Sequence, residues 1–142
     1  MTIPEKSNSP FETVGGIEPV ITIKRTGCNG PCPVYSAKIY RDGTVVYFGE
    51  WFVKVEGERV LKISLERLDQ LIRAFEGARY FSFRRRYDAN VTCLPTTTTS
   101  LKLEGRRKKI VENECAGPDE LEELEDKIDE LAGLTELIGE RD

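Results

Sequence analysis

The chain has 142 residues, 39% of them hydrophobic and 32% charged, with a formal net charge of −4. That length suits one domain burying roughly 68–70% of its unfolded surface, and the composition is too apolar for a wholly disordered chain. It contains no His, which excludes Ser–His and Cys–His pairs, His-ligated metals and an imidazole proton shuttle.

Residues 1–16 are rich in Pro, Ser, Asn and Gly and are expected to form a flexible leader, followed by a single domain over residues 17–142. The leader has no apolar run of the secretory type, so the chain as given reads as cytoplasmic; an exported form with a removed signal would look the same. No stretch approaches the ~18–20 apolar residues of a membrane span.

From Pro19 to Lys24 the texture is that of a first strand, ended by Thr26-Gly27. Two Pro and one Gly keep Cys28 to Pro33 out of helix and ladder. Val34 to Arg41 then alternates, with Tyr35, Ala37 and Ile39 on one face. Asp42-Gly43 predicts a two-residue hairpin that sets Arg41 opposite Thr44 and Ile39 opposite Val46. Thr44 to Phe48 returns as a strand, and Trp51–Val55 and Arg59–Ile63 read as further strand around a break at Glu56–Glu58.

Ser64 is placed to cap a helix whose apolar stripe is Leu65, Leu68, Leu71, Ile72 and Phe75, with Gly77 as its stop. Tyr80 to Phe83 continues as an aromatic segment, followed by Arg84 to Arg86 and then a loop through residues 87–90. Thr96–Leu103 and Arg106–Val111 form a second hairpin around Glu104-Gly105. Pro118 opens the final helix at its first helical position, with the stripe Leu121, Leu124, Ile128 and Leu131, and Gly133 stops it. The order β-β-β-β-α-β-β-α, with hairpins in place of helical crossovers, predicts an α+β domain: an antiparallel sheet of about six strands in two hairpin groups, with two helices packed on it.

Charge is segregated. Residues 1–111 hold 19 basic and 12 acidic side chains, whereas residues 112–142 hold two basic and 13 acidic ones. The acidic helix is expected to neutralise the basic body within one molecule, through Asp119, Glu122, Glu123, Asp126 and Glu130. Arg84, Arg85 and Arg86, with Arg107, Lys108 and Lys109, form the candidate ligand or nucleic-acid surface, interleaved by Tyr80, Phe81, Phe83 and Tyr87. The aromatics are also core candidates, and nucleic-acid binding is the weaker reading.

The four Cys carry the sharper hypotheses. Cys28 and Cys32 lie close enough in sequence to form a disulfide, half of a metal site or a redox pair. If Glu104-Gly105 is a two-residue loop, Cys115 faces Leu94 and Cys93 faces Ala116; a three-residue loop or one bulge would bring Cys93 and Cys115 into opposition, within reach of a disulfide. Zinc held by Cys28, Cys32, Cys93 and Cys115 is a further alternative without local spacing in its favour.

The run from Ile23 to Ser36, with Cys28, Cys32, Pro33 and Tyr35 ahead of Asp42-Gly43, resembles the signature of an uncharacterised bacterial domain family. Gly49 before Phe52-Val53, the helix at 65–75, Leu94-Pro95 and Gly117-Pro118 extend the resemblance over about residues 20–138. It implies no activity. Its relatives are often exported or lipid-anchored, and Cys93 and Cys115 fall outside its pattern. The reading that follows is a non-enzymatic binding or structural domain, a monomer or weak homodimer without a cofactor, whose Cys28–Cys32 loop is the candidate surface. The alternatives are a thiol–disulfide redox protein and a four-thiol zinc protein.

Overall fold

In a computed structural model, residues 18–28, 30–89 and 95–139 are described. Alternating apolar residues along β1 (Ile21–Arg25), β2 (Val34–Ile39) and β3 (Thr44–Trp51) put Ile21, Ile23, Tyr35, Ala37, Ile39, Val45 and Tyr47 on one buried face. With β4 (Gly57–Lys62), β5 (Arg86–Tyr87), β6 (Thr97–Leu101) and β7 (Lys109–Asn113) they form one seven-stranded sheet, ordered β4-β3-β2-β1-β6-β7-β5. All pairings are antiparallel except β5 with β7. The architecture is α+β as expected, with seven strands in place of six and a third, short helix. The extra strand is β5, whose two residues are too few for a periodicity signal.

Helices α1 (Leu65–Gly77) and α2 (Asp119–Leu131) contact each other and close over the buried face. Ser64 caps α1, its side chain accepting from Arg67 N at 3.0 Å. Leu68, Leu71 and Phe75 of α1 and Leu121, Leu124 and Ile128 of α2 join the sheet residues in one core, with Ile72 partly buried. The α1 chain reversal falls on Arg79, at φ 58°, beyond the Ala78 cap, and Gly77 remains helical. Pro118 stands at the cap of α2, one position earlier than expected. The segment Tyr80–Ser82 is a single 3-10 turn, so strand alternation does not apply there; Tyr80 and Phe83 enter the core while Phe81 is only partly covered.

Both hairpins differ from expectation. Gly43, at φ 92°, donates to Tyr40 O and Tyr40 donates to Thr44 O, giving a three-residue loop in which glycine takes the left-handed position. A Cβ on Gly43 would lie 2.3 Å from Ile63 O. Ile39 therefore faces Val45 and not Val46. Because side chains alternate, that shift turns Val46 to the opposite face of the sheet and out of the core. The region from Trp51 to Val55 is mostly bent, with only Trp51 in strand. Lys54 N and Val55 N donate to the carbonyls of Ile138 and Leu137, at the end of α3 (Thr135–Ile138).

In the second hairpin Thr97 faces Asn113 and Leu101 faces Lys109. The connection is much longer than two residues and begins β7 at Lys109, three residues later than expected. Lys102 Nζ holds it by donating to Leu103 O and Arg106 O.

Candidate functional site

One rung across the inner face is polar. Arg25 stands between Tyr35 of β2 and Thr97 of β6, and Thr97 faces Asn113 of β7. Arg25 shares parity with Ile21 and Ile23, so its side chain follows theirs inward. Above the rung runs α2, whose Glu125 and Asp129 lie four residues apart on the helix face that also carries Leu121 and Ile128.

The four rung side chains and two carboxylates interlock. Arg25 donates from Nε to Tyr35 Oη at 2.7 Å, from Nη1 to Thr97 Oγ1 at 3.0 Å and from Nη2 to Asp129 Oδ2 at 2.9 Å. Tyr35 Oη in turn donates to Asp129 Oδ1 at 2.7 Å. Asp126, exposed at the helix edge, approaches the same guanidinium at 3.6 Å. Asn113 donates from Nδ2 to Glu125 Oε2 at 3.0 Å, while its Oδ1 accepts from Ala116 N and Gly117 N and so fixes the turn into α2. Asp129 is 2% exposed and Glu125 4%.

Burial pushes the Glu125 carboxyl up to about 7, although the Asn113 hydrogen bond and the Arg25 charge both act to lower it. Burial alone would lower the proton affinity of Arg25, but Tyr35, Asp129 and Glu125 outweigh it and the net direction is upward. Two neighbouring carboxylates thus have different environments: Asp129 takes direct bonds from a cation and a phenol, while Glu125 takes one from an amide.

A cleft of about 250 Å³ opens above this network, lined by Arg25, Thr97, Asn113, Glu122, Glu125 and Asp126 on the polar side and by Cys32, Pro33, Pro95 and Cys115 at the rim. The loop leading into it is closed by a Cys28–Cys32 disulfide, with Cα atoms 5.6 Å apart. Cys115, at φ 62°, carries a free thiol that donates to Pro95 O at 3.7 Å. The residue is exposed overall, but its sulfur turns toward the cleft, and burial with the charges of Glu122 and Glu125 raises the thiol's proton affinity.

The expected Cys28–Cys32 proximity is thus present as a bond. The expected partner of Cys115 was Cys93, which lies outside the described residues. The β6–β7 register runs one step the other way, so that Pro95 is the residue brought to Cys115. Among the described residues no group of three or more Cys, Asp or Glu is placed to hold a metal ion.

The basic clusters lie elsewhere and are engaged locally. Arg86 meets Asp88, Glu112 and Glu114. Lys109 Nζ donates to Phe83 O at 2.6 Å, and Lys108 lies 3.9 Å from Glu18. Arg84 stacks on Tyr87 and Arg106 on Phe81. Arg85 and Arg107 are exposed. None of these bonds reaches Asp119, Glu122, Glu123, Asp126 or Glu130, so the expected neutralisation by the two clusters is corrected; among the described residues, Arg25 of β1 crosses to Asp126 and Asp129 of α2.

Arg25, Tyr35, Asn113, Glu125 and Asp129 are not among the candidate site residues that the sequence pattern selects. A signal for the carboxylates is nevertheless present, since Glu125 and Asp129 fall on the Leu121–Ile128 face of an otherwise regular stripe.

A family model described as a domain of unknown function matches residues 19–132, a span that includes every described residue of the cleft. No curated protein matches the chain. The chain belongs to that family, DUF6438.

Proposed function

We propose that this domain is a non-enzymatic binding module and that the cleft beside the Cys28–Cys32 loop is its binding surface. The observation that carries the reading is a concave site whose floor is already organised: Arg25, Tyr35, Thr97 and Asn113 are fixed in one rung, and the bonded loop restrains the rim. Preorganised polar groups at the base of a cleft lower the ordering cost of binding. With Arg25 committed to Asp129, the lining favours a ligand that presents a cationic or hydrogen-bond-donating group toward Glu122, Glu125 and Asp126. Titration of isotope-labelled protein with a Lys-containing and a Glu-containing tripeptide tests this. Shifts confined to the Asn113–Gly117 and Glu122–Asp126 amides with the Lys peptide support it, and shifts scattered over the surface, or equal for both peptides, overturn it.

One observation favours a second reading, a thiol–disulfide role: Cys32 and the Cys115 thiol line the same cleft. Against it, Cys28 and Cys32 lie on the β1–β2 connection and not at the start of a helix, while Cys115 is shifted away from thiolate formation. Zinc at Cys28, Cys32, Cys93 and Cys115 would first need the bonded pair reduced, because a disulfide offers no thiolate. The bonded pair supports an oxidising compartment over the cytoplasm. Trapping the thiols in cells with an alkylating reagent before lysis distinguishes the two: a Cys28–Cys32 pair that alkylates fully inside the cell would overturn that placement.

A further inference from the structure

The two edges of the sheet are unlike. One ends in β5, two residues long, and short edge strands are a common guard against edge pairing. The other ends in the six-residue β4. Ile63 N donates to Gly43 O, so the alternation of an antiparallel ladder turns residues 57, 59 and 61 toward β3. The N–H and C=O groups of Glu58, Val60 and Lys62 therefore point off the sheet. The side chains of these three residues are exposed, and Val60 is 64% exposed on the face opposite the helices.

From this we infer that β4 is a homodimer edge, pairing antiparallel with β4 of a second copy about a two-fold axis through Val60. In that register Val60 faces its own copy, Glu58 faces the partner copy's Lys62, and Lys62 faces the partner copy's Glu58. All three positions have outward-pointing backbone groups, so hydrogen bonding and charge matching select the same alignment. In-register parallel pairing would set Glu58 against Glu58 and Lys62 against Lys62, and a two-residue antiparallel slip would set one of the two charges against Val60; neither pairs Glu58 with Lys62. Edge charges usually discourage association, whereas here they favour the one antiparallel register that pairs Glu58 with Lys62 within β4.

Existing contacts compete only weakly. Arg59 Nη1 donates to the Glu58 carbonyl at 2.9 Å and Lys62 Nζ lies 3.4 Å from Asp42, with all of these side chains exposed. The interface is one short strand per copy, which places it in the weak, small-area class. It also lies three strands from β1, at the far side of the sheet from the cleft's β1, β6 and β7 residues, so association leaves the proposed binding surface open.

Sedimentation velocity over roughly 10 μM to 1 mM, the range suited to a weak interface, tests the inference with the full chain. The wild type should show a concentration-dependent dimer. Glu58→Lys and Lys62→Glu should each weaken it roughly tenfold or more, because two opposite-charge cross-strand pairs become two like-charge pairs. An equimolar mixture of the two variants should recover the dimer, since positions 58 and 62 are then both basic in one chain and both acidic in the other. Recovery also shows that both variants fold. A wild type that stays monomeric to about 1 mM, variants that dimerise like the wild type, or a mixture that fails to recover association would each overturn the two-fold β4 pairing.

Discussion

Replacing Glu125 by Gln isolates the cost of a buried carboxylate, because the amide keeps an acceptor for Asn113 Nδ2 while losing the charge. Glu125 rises from its ordinary value of 4.5 to about 7 in the folded protein. The folded state therefore binds the proton more tightly than the unfolded chain, and between about pH 4.5 and 7 it holds more protons. Stability must fall as pH rises through that window. At 1.36 kcal/mol for each tenfold in proton affinity, the loss is on the order of 3 kcal/mol by pH 8, lessened by any water reaching the carboxylate from the cleft. Urea denaturation of parent and variant at pH 4, 6 and 8 measures it. The difference between the two proteins is the relevant quantity, since the remaining carboxylates titrate in both. The Glu125→Gln variant should gain on the parent as pH rises, by roughly 1–3 kcal/mol between pH 4 and 8. A difference that is flat with pH would show that Glu125 is not held in a poorly solvated site.

Three further outcomes are expected. Arg25→Ala leaves Asp129 buried without its cation and should cost about 3–5 kcal/mol by denaturant titration, and a loss below ~1 kcal/mol would contradict the assigned network. Leu71→Ala removes a fully buried side chain between the sheet and α2 and should cost about 2–5 kcal/mol; a near-neutral result would mean the α1 register is wrong. Replacing Cys28 and Cys32 together by Ser opens a short loop and should lower stability by about 2 kcal/mol on loop-entropy grounds. In the same proteins Cys115 should react slowly with iodoacetamide near neutral pH, given its raised thiol, and rapid alkylation would revive the redox reading.

What the sequence made legible was local. Ser64, the leucine spacing of α1 and the acidic opening of α2 each act within a few residues, and these helices form where the pattern puts them. Hairpin registers were less legible because one extra loop residue moves every pair. Asp42-Gly43 supports either a two-residue turn or a three-residue loop with Gly43 left-handed, and the close approach of Ile63 O to Gly43 comes from the end of β4, a partner remote in sequence. The Trp51–Val55 stretch has strand propensity, yet its backbone groups at 54 and 55 are taken by α3, more than eighty residues later. The site was the least legible part. Cys28 and Cys32 announce themselves by proximity, whereas Arg25, Tyr35 and Thr97 become one rung only after β1 is inserted between β2 and β6.

That insertion also explains where charge can be tolerated. A cation at the end of a central strand would normally lack water and partners, which makes it costly. Here α2 arrives over the same rung with Asp129, and the phenol of Tyr35 bridges the two, so all three guanidinium nitrogens and the phenol O–H donate to acceptors within the network. One turn earlier, Glu125 has no such cation bonded to it among the described residues and accepts from Asn113. The network is therefore more densely bonded at Asp129 than at Glu125, where it meets the cleft. A ligand group that donates to Glu125 would meet a buried carboxylate that takes its hydrogen bond from the Asn113 amide. On the proposed reading, that asymmetry favours the cleft over the exposed outer face of α2 as the binding surface.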